Sequence, residues 1–211
     1  MSKINNITQV TDNRFLNFFE MDVEDNTGHP FRYYMASRSK SADELMINTG
    51  RFAPGGVCIL AVKQEETEKI VMVRQFRFPL GTYIYELPAG LVEPGEDYHD
   101  AGVRELKEET GLTFHPVNAK EGFTRPFFNS CGMSDETNAT VIGRATGTVS
   151  TKGLEQTENL SVVLVDRKEA ARILREENVA IMAAYMLMYF IASPEGHALD
   201  MFTEENTGAK D

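Results

Sequence analysis

The segment Gly90–Leu112, GLVEPGEDYHDAGVRELKEETGL, restricts the fold of this chain more than any other stretch. Its acidic start and glycine end predict a helix from about Asp97 to Thr110, with Gly111 as a left-handed C-terminal cap. At about 100° per residue, Glu105, Glu108 and Glu109 fall on one helix face. That face opposes helix formation twice. Glu105 and Glu109 are like charges at i,i+4, and all three carboxylates sit toward the negative end of the helix dipole, each effect costing roughly a few tenths of a kcal/mol. A solvated acidic face is one reading. A bound divalent cation is the other, because it reverses the sign of the interaction, and ligands offering only oxygen point to Mg²⁺ or Mn²⁺ rather than zinc.

Period-2 patterning predicts strands around this helix. Phe19, Met21 and Val23 alternate with Glu20, Asp22 and Glu24; the turn cluster Asp25–Pro30 follows; then Phe31, Tyr33 and Met35 alternate with Arg32, Tyr34 and Ala36. Residues 15–38 therefore read as an antiparallel pair, which is marginal alone and must pack on something. Further strands are expected at Pro54–Val62, Lys69–Phe76, Thr82–Leu87, Ala139–Val149 and Leu160–Asp166, with a second helical zone over 168–192. Within that zone Val179–Ala192 is nearly pure apolar but, at 14 residues, shorter than the roughly 18 that suggest a membrane span, so a buried core helix is expected. The element order predicts an α+β fold, a mixed sheet covered by helices. We divide it into an N-terminal strand subdomain, 1–50, a main domain, 51–193, and a polar tail, 194–211.

Twenty-one basic against 32 acidic residues give a net charge of −11, which disfavours nucleic acid and anionic membranes as partners. Any phosphate must be gripped locally. Cys58 and Cys131 form no CxxC or Cys/His pattern, so neither a disulfide framework nor a zinc site is expected. With no basic-then-apolar leader in MSKINNITQVTDNRF, a cytoplasmic location is expected.

Gly90, Glu96, Arg104-Glu105-Leu106, Glu108-Glu109 and Gly111-Leu112 stand at the fixed spacing of the Nudix box, and the segment resembles it with no position missing. The resemblance implies a Nudix fold, an α/β/α sandwich, and hydrolysis of a nucleoside diphosphate linked to another moiety. Carried over residue by residue, it implies metal ligation by Glu105, Glu108 and Glu109, with the Ala89 carbonyl as a further ligand and Gly90 allowing close backbone approach. Arg104 and Glu96 would orient the cluster. The flanks VRQFRFPLGTYIYELPAG and FFNSCGMSDE resemble the ADP-ribose pyrophosphatase group, as does the N-terminal extension, although Cys131 replaces that group's usual proline. The implied reaction is Mg²⁺-dependent cleavage of ADP-ribose to AMP and ribose 5-phosphate, with UDP-glucose, GDP-mannose or NADH as alternative substrates. A non-catalytic nucleotide sensor is the other class, but such domains tend to lose box glutamates.

Arg77 stands where the resemblance puts a phosphate-binding Arg, and Arg38 is a second candidate, because the guanidinium fork matches phosphate oxygens. Alignment of ENLSV with the family's acidic loop favours Glu158 as general base, with Glu155 as the alternative. There is no Trp, so stacking on a purine falls to Tyr33, Tyr34 or Phe31. The resemblance also implies a homodimer in which the N-terminal strands embrace a second subunit.

Overall fold

The computed structural model describes residues 1–120, 122–154 and 159–203. The chain forms two compact units, Met1–Gly55 with Pro126–Asn138, and Gly56–Arg125 with Ala139–Asp211. The return of Pro126–Asn138 to the first unit lies outside the division drawn at residue 50.

In the first unit, β1 (Lys3–Gln9), β2 (Asn17–Glu24) and β3 (Pro30–Ser37) form an antiparallel sheet in the order β1-β2-β3. The pair expected over 15–38 is β2 and β3. The third strand, KINNITQ, gave no period-2 signal because its side chains are mostly polar and exposed, as suits an edge strand. Phe19, Met21, Val23 and Met35 line the inner face and pack with Leu45, which leads into the short helix α1 (Met46–Thr49). That contact is what the hairpin needs in order to stand. The strand β9 (Phe127–Phe128) pairs with Thr137 and Asn138 at the start of β10 (Thr137–Thr146).

The second unit is built on β4 (Gly56–Gln64) and β5 (Glu68–Arg77), within the strand order β11-β5-β4-β10-β8, where β8 is Thr113–Pro116 and β11 is Leu160–Val165. Every residue from Gly56 to Val62 is buried, so β4 is covered on both faces. Val57, Ile59 and Ala61 face one way and pack with Leu106 of α2 (Tyr98–Thr110); Leu60 and Val62 face the other and pack with Ile173 of α3 (Arg167–Glu176) and Leu187 of α4 (Ile181–Ala192). One helix on one face and two on the other give the expected α+β sandwich. The edge of β5 that β4 leaves at Ile70 is taken up from Val73 by β6 (Thr82–Glu86), and β7 (Ala89–Leu91) pairs with the start of β4.

The single helical zone expected over 168–192 is two helices. The backbone of Asn178–Ala180 is drawn to the edge of β6, with Tyr85 N donating to Asn178 O at 2.8 Å and Ala180 N to Tyr85 O at 3.0 Å, and helix cannot run through such a bridge. Nor is α4 buried all round. Ala183, Leu187 and Phe190 face the core, whereas Ile181, Tyr185 and Met188 are exposed. The expected polar tail is partly core as well, since Ala198, Leu199 and Phe202 join the same cluster. Its entry is held by Arg167, which bonds Ser193 O, Pro194 O, Glu195 and the fully buried Glu68. Among the described residues no helix is long and apolar enough to cross a membrane.

Candidate active site

The helix α2 starts where its capping chemistry says it should. Asp97 accepts the His99 backbone N–H at 2.8 Å, and Gly111, at φ 72°, donates its N–H to Lys107 O at the other end. Capping at both ends offsets the repulsion of an acidic last turn. The helix turns part of that acidic face inward. Glu109 is 3% exposed, and its carboxylate accepts the Ala89 N–H at 3.3 Å.

Arg104 gathers the rest. Its Nε and Nη2 donate to the two oxygens of Glu96, each at 2.9 Å, its Nη1 to Glu105 at 2.8 Å and Glu108 at 3.2 Å, and its Nη2 also to Leu91 O. The fork–fork contact depresses the Glu96 carboxyl from the usual 4.5 to about 2, mainly through the Arg104 hydrogen bond, and raises the Arg104 guanidinium above its ordinary value through the same bond. Gly90 sits directly against Glu105. A Cβ added there would overlap the Glu105 carboxylate, so a larger residue would force that carboxylate out of its present place.

These side chains are adjacent, but Glu96, Glu105 and Glu108 share Arg104 as a donor while Glu109 accepts from Ala89. Among the described residues no three His, Cys, Asp or Glu side chains converge on one point. The donor set is nonetheless suited to a hard divalent cation. It is all oxygen, and Glu96, Glu105, Glu108 and Glu109 carry four negative charges against the one positive charge of Arg104.

The sheet brings Arg77 to the same side. Antiparallel pairing sets Val73 opposite Glu86 and Arg77 opposite Thr82, so all four side chains share one face. Val71, two residues before Val73, packs with Leu106, which identifies that face as the one α2 covers. Across it the Arg77 Nε donates to Glu86 at 2.7 Å. Glu86 was missed in the sequence. Its signal is the strand period, which sets it opposite Val73, but nothing in ELPAG names its partner.

The remaining candidates lie in the first unit. Arg38 Nε donates to Glu136 at 3.2 Å, and both line a cavity of about 450 Å³. Tyr33 and Tyr34 point to opposite faces of the sheet. Tyr33 donates its hydroxyl to Gly132 O at 2.7 Å, while Tyr34 stacks on Phe18 with centroids 5.7 Å apart. The two rings therefore cannot flank one purine together. Phe31, Tyr33 and the exposed Cys131 line an apolar groove of about 600 Å³. Glu155 and Glu158 lie outside the described residues.

A NUDIX domain profile matches residues 53–186. The chain is 34% identical over 138 residues to the ADP-ribose pyrophosphatase of Bacillus subtilis, covering 64% of this chain and 71% of that protein. It is 33% identical over 104 residues to the ADP-sugar pyrophosphatase of Mus musculus, covering 48% and 44%, and 32% identical over 127 residues to the methanol dehydrogenase activator of Bacillus methanolicus, covering 60% and 65%. A crystal structure of an ADP compounds hydrolase shares the fold, with a TM-score of 0.58 at 19% identity over 83% of each chain.

Proposed function

This chain belongs to the NUDIX family, and on that premise we propose that it hydrolyses the pyrophosphate bond of a nucleoside diphosphate derivative, preferentially ADP-ribose, to AMP and ribose 5-phosphate. The observation that carries a hydrolytic rather than a structural role is the burial of Glu109 on the acidic face of α2. A solvated charge run exposes its carboxylates, whereas a carboxylate taken out of water requires a compensating charge or donors. The adenylate half of the proposal leans on the relatives, two of which carry ADP-ribose or ADP-sugar in their names.

Pyrophosphate resists attack because its oxygens are negative. The ligands proposed for Mg²⁺, with Mn²⁺ able to substitute, are Glu105, Glu108, Glu109 and the Ala89 carbonyl. Such a cation, when bound, neutralises phosphate charge and acidifies a water. The chain supplies the remaining functions. Arg104 and Glu96 hold the acidic face in register, and Arg77 and Arg38 offer guanidinium N–H groups to phosphate oxygens. Glu158, or Glu155 in its place, takes the proton of the attacking water as the phosphorus–oxygen bridge bond breaks, and the leaving phosphate departs with the bridging oxygen. Tyr33 or Tyr34 stacks on the base, and the working assembly is a homodimer.

A hydrolysis screen over ADP-ribose, UDP-glucose, GDP-mannose, NADH and nucleoside triphosphates, with EDTA and with Mg²⁺ added back, tests this. We expect cation-dependent turnover of ADP-ribose and poor turnover of triphosphates. A tenfold higher kcat/KM for any other member of the panel overturns the substrate. Nucleotide binding without turnover overturns the enzyme in favour of a sensor.

A further inference from the structure

We propose that Glu86 is a positioning residue for the reaction, acting through Arg77; this rests on the phosphate-binding role of Arg77 proposed above. Arg77 lies at the end of β5, with 44% of its side chain exposed, and it has four rotatable bonds with which to lose its aim. The Glu86 carboxylate, only 15% exposed, holds it at one atom, Nε, at 2.7 Å. Among the described residues the two Nη groups have no hydrogen-bond partner. A guanidinium carries five N–H donors in a rigid plane. Fixing Nε therefore orients the other four without occupying them, which leaves the bidentate edge for two phosphate oxygens.

The register shows that this pairing is a reach rather than a chance neighbour contact. Glu86 is opposite Val73, four residues back along β5 from Arg77, so the arginine must fold back over the sheet to meet it. It does so on the face that α2 covers, where the acidic cluster stands. Glu86 is also three residues before Ala89, whose N–H is bonded to Glu109. The same short stretch thus tethers the proposed phosphate-binding group and the buried carboxylate of the cluster.

Steady-state kinetics on ADP-ribose with Mg²⁺ test the proposal through Glu86→Ala, Glu86→Gln, Arg77→Ala and the double variant Glu86→Ala/Arg77→Ala. A charge-assisted hydrogen bond lost from Arg77 predicts a KM raised on the order of tenfold in Glu86→Ala, with kcat changed far less. In Glu86→Gln the side-chain oxygen still reaches Nε, and KM returns most of the way to wild type. In the Arg77→Ala background, Glu86→Ala adds no further loss, because there is nothing left to aim. An unchanged KM in Glu86→Ala overturns the proposal, as does an equal loss with and without Arg77. A lowered melting temperature with normal KM assigns Glu86 a purely structural role and overturns it too. If Glu86→Ala does not fold, Glu86→Leu, which keeps most of the volume but has no oxygen for Nε, decides by the same additivity criterion, alone and with Arg77→Ala. A wild-type protein that turns over no nucleoside diphosphate derivative overturns the functional reading itself, and the proposal with it.

Discussion

Glu109 and Gly90 give the two sharpest tests at the residue scale. Glutamine at 109 keeps the volume and an oxygen for the Ala89 N–H but removes the charge, so Glu109→Gln should lower kcat by orders of magnitude while the melting temperature holds or rises, as one member of the repulsive i,i+4 pair with Glu105 is gone. Full activity in that variant would remove Glu109 from the chemistry. Gly90→Ala places a methyl group in the Glu105 carboxylate, and the carboxylate must turn away. Activity should fall more steeply than thermal stability, with both measured on the same preparation. Glu96 supplies a pH dependence. Its folded-state pKa, about 2, lies below the usual 4.5, so its contribution to stability is fully present above 4.5 and is lost as pH falls through about 2. The difference in melting temperature between wild type and Glu96→Gln should therefore be constant near neutrality and close between pH 4.5 and 2. A difference that persists unchanged below pH 2 would contradict the Arg104 pairing as its cause.

At the scale of elements, α2 was readable from sequence because its caps, Asp97 and Gly111, and its acidic periodicity are all local. The strands β4 and β5 were readable because their residues are apolar on both faces. What escaped depended on partners distant in sequence. β1 has an edge-strand composition and is specified by its pairing with β2, and the break between α3 and α4 is specified by Tyr85, more than ninety residues earlier. Arg167 belongs to the same class. It packs over the Phe190 ring at 4.3 Å and meets the Glu68 carboxylate, which is 0% exposed, at 3.0 Å. Without Arg167 the buried Glu68 carboxylate keeps only the Gly196 N–H and the Arg144 guanidinium at 3.9 Å, so Arg167→Ala should cost about 3 kcal/mol in chemical denaturation, the low end for a broken buried pair. Glu68→Gln should cost much less, because the amide oxygen still accepts from Arg167 and Gly196. Equal losses in the two variants would refute the buried-charge account.

At the scale of the whole molecule, the chain carries a net charge of −11 and yet presents Phe31 and Tyr33, each more than two-fifths exposed, in the apolar groove of its first unit. An exposed apolar patch of this kind marks an interaction site, and two-fold dimers are the commonest homo-oligomers. The two properties oppose each other in a way that can be measured. Apolar contact draws copies together, while like net charge holds them apart over a Debye length of about 10 Å at 0.1 M salt, and added salt screens only the second. We therefore expect a homodimer by light scattering at micromolar concentration, with a dissociation constant that tightens as NaCl rises. Phe31→Glu should shift the population to monomer without unfolding it, since the ring is already 44% exposed. If base stacking falls to Tyr33, Tyr33→Ala should raise KM for ADP-ribose and leave kcat nearly constant, because a stacking contact is made equally in ground and transition states. A monomer at all salt concentrations would remove the dimer, and a salt dependence of opposite sign would show that specific ion pairs, not apolar burial, join the copies.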